Sequence, residues 1–96
     1  MSFMKPKTIY ENKKTRIYIN QCYNKGKKTK LYVVRRDDDK GIGRLLGTIK
    51  FDGRWRQYVF IPEDGTKWSA MCLRGVAAFC DVITVKWRIK VLLNKK

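Results

Sequence analysis

Between residues 48 and 62 the chain reads TIKFDGRWRQYVFIP, a run in which Arg54, Arg56, Tyr58 and Phe60 follow one another with Trp55 among them. Guanidinium groups neutralise phosphates, and flat rings stack on unpaired bases for roughly 1 to 3 kcal/mol per base. Side by side on one surface, the two kinds of group would hold a single strand of nucleic acid with little regard for its sequence.

Whether they share a surface depends on the turn at Asp52-Gly53, because side chains alternate along a strand. A two-residue turn would set Phe51 beside Arg54 and Ile49 beside Arg56, mixing apolar and cationic groups on both faces. A three-residue loop with Gly53 left-handed shifts the register by one. Leu45 and Ile49 then share a core face with Trp55, Val59 and Ile61. The other face collects Arg44, Lys50, Arg54, Arg56, Tyr58 and Phe60, with Arg16, Tyr18 and Tyr32 from earlier strands able to join it. The expected nucleic-acid-binding set is Arg16, Tyr18, Arg44, Lys50, Arg54, Arg56, Tyr58 and Phe60. Trp55, Trp68 and Trp87 each fall on an apolar side and read as core.

The elements that must position these residues are strands and one helix. TRIYINQCY (15–23) alternates as a half-buried strand does, NKGKKT (24–29) has turn chemistry, and KLYVVRR (30–36) is rich in β-branched and aromatic residues. DDDKGIG (37–43) reads as a charged break, followed by strands over 44–51 and 55–62. After Pro62, Thr66 or Ser69 can cap a helix over about 69–82. Val85, Trp87, Ile89 and Val91 alternate with cations and suggest a further strand over 84–93. Val82, Val85, Ile89 and Leu92 also recur at helical spacing, which leaves a longer helix as the alternative. Residues 1–14 read as a flexible basic arm with at most a short ordered piece at Thr8–Tyr10, residues 15–93 as a single domain, and 94–96 as a basic tail. The expected fold class is α+β: an antiparallel four- to five-stranded sheet with the helix packed on one face.

Charge narrows the partners. Twenty-three Lys and Arg against eight Asp and Glu leave a formal charge of +15 in 96 residues, and no histidine moderates it. Such a balance points to a polyanion, nucleic acid first; no basic amphipathic helix supports a membrane surface. Lys13 and Lys27 would add nonspecific attraction. Without histidine, the usual general base and commonest metal ligand are missing, so the chain reads as a binder and not an enzyme, with no cofactor. Asp37 to Asp39 read as a solvated loop, not a cation site, and GIG lacks the third glycine of a phosphate loop. Three cysteines without C-x-x-C spacing read as reduced thiols. With no signal-length or membrane-spanning apolar run, a cytoplasmic setting is expected.

From Leu46 to Ile83 the sequence resembles a family of short proteins of tailed phages and prophages sharing G-x-I-x-F, WRQYVF-x-P, T-x-W and CL-x-x-hydrophobic-x-x-F. These are Gly47, Ile49 and Phe51; Trp55 to Phe60 and Pro62; Thr66 and Trp68; and Cys72, Leu73, Val76 and Phe79. The resemblance implies a phage setting, in the cytoplasm of a bacterial host. The chain departs from it at Arg74-Gly75, where an acidic residue is expected, and in the basic segment from Lys86. The order of elements through residue 83 is also similar to the positive-cofactor-four group of single-stranded DNA binders, which implies a dimer. Single-stranded nucleic-acid binding is the leading expectation. A phage inhibitor that covers the acidic surface or nucleic-acid channel of a host nuclease or defence complex is its rival.

Overall fold

The computed structural model describes residues 5–26 and 28–94, so Lys27 and the ends of the basic arm and tail lie outside the described residues. Five strands follow one another as an antiparallel meander: β1 (Lys7–Glu11), β2 (Arg16–Cys22), β3 (Leu31–Asp38), β4 (Gly41–Asp52) and β5 (Gln57–Pro62). A single helix, α1 (Ala70–Asn94), completes an α+β fold. Within the expected arm, the short ordered piece is a full strand, β1, paired with β2.

The turns follow from their side chains. Between β2 and β3, Gly26 is left-handed and the Asn24 side-chain amide donates to the Thr29 carbonyl, closing the expected hairpin. The 37–43 break is shorter than expected: Asp38 pairs with Gly41, and only Asp39-Lys40 turns, held where Asp38 Oδ1 accepts from the Lys40 N–H. In β4 the pairing steps from Val34–Gly47 to Arg35–Leu45, so Leu46 is an extra residue in a bulge. The bulge sends Leu46 into the core and leaves Leu45, the expected core residue, exposed.

The β4–β5 turn corrects the expected register. Its last pair is Asp52–Gln57, so four residues, 53–56, make the loop, and the left-handed residue is Arg56 (φ 53°), not Gly53. The Asp52 carboxylate holds it by accepting from the N–H groups of Arg54 and Trp55, an Asx-type turn that needs no glycine freedom. An even count pairs Ile49 with Phe60 and Phe51 with Tyr58, placing all four on one face.

That face is the core. Ile17, Ile19, Tyr32, Val34, Leu46, Ile49 and Tyr58 bury against Cys72, Val76, Phe79, Cys80 and Ile83 of α1. The helix touches both β1 and β5, strands at opposite edges, so the sheet must curl around it. At one edge Gly75 lets β1 approach closely: a Cβ there would lie 3.2 Å from the Ile9 Cβ and 3.3 Å from its carbonyl oxygen. At the other, the Tyr58 N–H points away from β4 and donates to Thr84 Oγ1 at 2.9 Å.

Ser69 caps the helix as expected, its hydroxyl accepting from the Cys72 N–H. The helix does not stop near 82, and residues 84–93 are not a strand: α1 continues unbroken to Asn94. Its reason lies in two apolar faces. Val76, Phe79, Cys80, Ile83 and Trp87 face the sheet, while Val82, Val85, Ile89 and Leu92 lie on another side. Interleaved in sequence, two helical stripes imitate the alternation of a strand. No helix among the described residues is long and apolar enough to cross a membrane.

Candidate nucleic-acid interface

The register divides the expected set. Tyr58 is 6% exposed and Phe60 half-buried, both beneath the helix side of the sheet, with Phe60 edge-on to Trp68 at 5.0 Å; neither can stack on a base. Tyr32 is likewise core. Arg16, Tyr18 and Lys50 lie on the opposite, uncovered sheet face, where Val59 and Ile61 also stand instead of in the core. Arg44 pairs with Arg36 and so sits on the helix side, near the far end of β4. Arg54 and Arg56 are exposed in the β4–β5 loop. No single platform unites the eight residues.

Tyr18 is occupied structurally. Its hydroxyl donates to Asp37 Oδ1 at 2.8 Å, and the Arg16 guanidinium lies 4.6 Å from its ring centroid. Burial, then the Asp37 carboxylate, pushes the Tyr18 phenol above its ordinary range. Asp37 is held below the usual carboxylate range by the Gly43 N–H first, then by the Tyr18 hydroxyl. Arg35 closes the cluster by donating to the Gly43 carbonyl. These contacts fasten the β3–β4 hairpin and leave the Tyr18 ring 8% exposed.

A different cluster forms where the β4–β5 loop meets the C-terminal half of α1. Trp55, expected in the core, is instead 66% exposed between Arg54 and Arg56. The two bonds to Asp52 fix the loop's shape and hold Arg56 left-handed; a non-glycine residue there costs about 1 to 3 kcal/mol and persists only where its surroundings hold it. Arg56 lies over Trp87, 5.5 Å from its ring centroid, and Trp87 leans on Phe51 at 4.4 Å.

Beside Trp87 opens a cleft of about 100 Å³ whose rim is Lys28, Lys30, Lys86 and Lys90, with no acid in its lining. Lys86 and Lys90 are four apart on the helix and face one way; Lys28 and Lys30 come from the β2–β3 connection, just before β3 begins at Leu31. Tyr58 joins the two sides: its hydroxyl accepts from the Lys30 N–H at 3.0 Å, while its own N–H reaches Thr84, one residue past the buried Ile83. Buried as it is, Tyr58 sets the spacing of the cations without meeting solvent. The cleft is an electropositive recess with Trp87 in its wall, and Arg56, which lies over that ring, is the chain neighbour of the exposed Trp55. It can hold a chain of phosphates and receive a planar ring.

Of these residues, sequence reasoning placed Arg54 and Arg56 in a binding role and overlooked Trp55, Trp87, Lys28, Lys30, Lys86 and Lys90. The i, i+4 spacing of Lys86 and Lys90 was the available signal, usable only with 84–93 read as helix. No family model, curated protein or solved structure matches the chain.

Proposed function

We propose that this protein binds single-stranded nucleic acid, with little sequence preference, through the Arg54–Trp55–Arg56 loop and the lysine cleft next to it. The observation that carries this reading is the exposure of Trp55 between two arginines on a braced loop that adjoins four lysines. An exposed indole is a platform on which the flat face of an unpaired base can stack, and the phosphates of the same strand are what the neighbouring cations would neutralise. Arg54, Arg56, Lys86 and Lys90 would hold phosphates, Lys28 and Lys30 would extend their track, and Trp55 would stack. Nothing in this scheme requires a reaction, so the protein acts as a binder. A phage-infected bacterial cytoplasm, where three free thiols stay reduced, is the setting that goes with it.

The test is a fluorescence anisotropy titration of labelled single-stranded DNA and RNA oligonucleotides. Trp55→Ala is expected to weaken binding by the worth of one stack, about 1 to 3 kcal/mol, with an unchanged thermal midpoint because the ring packs on little. Weak, length-indifferent adsorption that Trp55→Ala does not alter would refute the reading and favour an inhibitor that binds an acidic protein surface.

A further inference from the structure

Helix α1 is apolar on two sides, and only one is covered. The second side follows a strict seven-residue repeat: Gly75, Val82 and Ile89 in one series, Ala78, Val85 and Leu92 in the other, spaced alternately by three and four. That is the a and d pattern of a coiled coil, with β-branched Val82 and Ile89 at the last two a positions and Val85 then Leu92 at the last two d positions; the final heptad, Ile89 with Leu92, has the β-branched a and leucine d of parallel two-stranded pairing. Gly75 is taken up by Ile9 of β1, so the repeat is free from Ala78 onward. Val82, Val85, Ile89 and Leu92 each leave half or more of their surface open.

The helix also outruns the sheet. Beyond Trp87 every described residue of α1 is exposed, so its last seven residues, about 10 Å of helix, bury no side chain, with Lys90 reaching back to the rim of the lysine cleft. Four of those seven are Ile89, Val91, Leu92 and Leu93. Two free turns of helix are marginal in water by themselves, and apolar ones gain stability only from a covering surface.

We infer that this stripe pairs with the same stripe of a second copy, the two helices running parallel about a two-fold axis. Charge selects the partner and its direction. In the repeat Asp81 occupies g and Lys86 the following e position, and neither has an ion-pair partner among the described residues. Parallel pairing brings Asp81 to Lys86 of the partner subunit, twice by symmetry, whereas an antiparallel pair centred on the same segment would bring lysine toward lysine. About four turns of seam, from Ala78 to Leu92, bury less than the roughly 800 Å² per partner of a standard stable interface, so the dimer is expected to dissociate on dilution through the micromolar range. The seam shares Lys86 with the proposed phosphate cleft, but the apolar stripe does not enter that reading and the mass is measured without nucleic acid, so a failure of either is told apart from a failure of the other.

Sedimentation equilibrium of the full chain without nucleic acid reads the mass directly. The expected result at high micromolar concentration is twice the chain mass of 11.4 kDa, falling to that of one chain for Val85→Glu/Ile89→Glu. Both sites are exposed, and an unchanged circular dichroism spectrum would verify that the variant folds. In a Cys22→Ser background, Leu92→Cys should oxidise to a covalent dimer and Leu73→Cys, on another side of the helix, should not. A wild type that is monomeric at every concentration, or a dimer indifferent to the two glutamates, overturns the inference. So does a dimer that Leu92→Cys cannot link, or a monomer that instead sediments with phosphatidylglycerol vesicles through this stripe.

Discussion

Thr84 ties the helix to the edge of the sheet, and Thr84→Val isolates that tie. Valine matches threonine in shape and nearly in helix propensity, so neither a cavity nor a loss of helical preference accompanies the change. What is lost is the hydroxyl that accepts the Tyr58 N–H at 2.9 Å in a buried setting. β5 is an edge strand, so no neighbouring strand takes that N–H. An orphaned buried donor costs about 1 to 3 kcal/mol. The middle of that range lowers the melting temperature of a domain this size by roughly 8 to 16 °C. Thr84→Ser keeps the acceptor and gives up one methyl, about 0.8 kcal/mol. The expected order of melting temperatures, followed by far-UV circular dichroism, is wild type, then Thr84→Ser, then Thr84→Val. A Thr84→Val protein melting at or above Thr84→Ser would refute the argument that the hydrogen bond, and not the packing, secures this edge.

Other perturbations test other joints. At Gly47 a Cβ would run into the Phe60 ring and stand 2.8 Å from the Ile61 carbonyl oxygen, which the ladder holds in place; Gly47→Ala is expected to cost about 1 to 3 kcal/mol in a denaturant titration and to shift Trp68 fluorescence as Phe60 moves. Arg56→Gly relieves a left-handed side chain, worth about 1 to 2 kcal/mol, while losing a cation–π contact of about 0.5 to 1. Stability should hold or rise slightly as oligonucleotide affinity falls roughly tenfold with one charged hydrogen bond gone; a destabilised variant would contradict this. Burial pushes the Tyr32 phenol up to about 12 and the Cys80 thiol up to about 11. Both folded values exceed the ordinary ones of 10.0 and 9.0, so the stability they contribute is complete below pH 9 and is lost as pH rises through 11 to 12. Tyrosinate absorbance should show the Tyr32 phenol ionising in that range, together with unfolding, and Tyr32→Phe should remove that step.

Much of the fold was legible because burial writes a period into the chain. Ile17 and Ile19 alternate cleanly, Asn24 and Gly26 mark a hairpin, and Ser69 stands where a cap belongs. The β4–β5 register was not legible from Asp52-Gly53, since the turn is fastened by a carboxylate accepting two N–H groups further on, strongly enough to hold Arg56 left-handed in place of the glycine. An odd loop made the cations look outward with the rings; the even loop gathers Ile49, Phe51, Tyr58 and Phe60 beneath the helix and throws Trp55 into solvent. The bulge at Leu46 hid in the same way, because one inserted residue exchanges faces without changing composition. At the helix, two apolar stripes three and four residues out of step read as a strand, and with them Lys86 and Lys90 passed for the wet side of a sheet. The cations of the loop were therefore found from sequence, whereas the cleft they adjoin required the fold.

The role assigned to the lysine cleft is tested most directly by the salt dependence of binding to a single-stranded oligonucleotide, compared between the wild type and Lys86→Gln/Lys90→Gln. Each phosphate neutralised on a single strand contributes about 0.7 to the slope of log affinity against log salt. Removing both lysines is expected to flatten the slope by about 1.4, with the fold intact by circular dichroism. A double variant that retains the wild-type slope and affinity would show that no phosphate sits in the cleft.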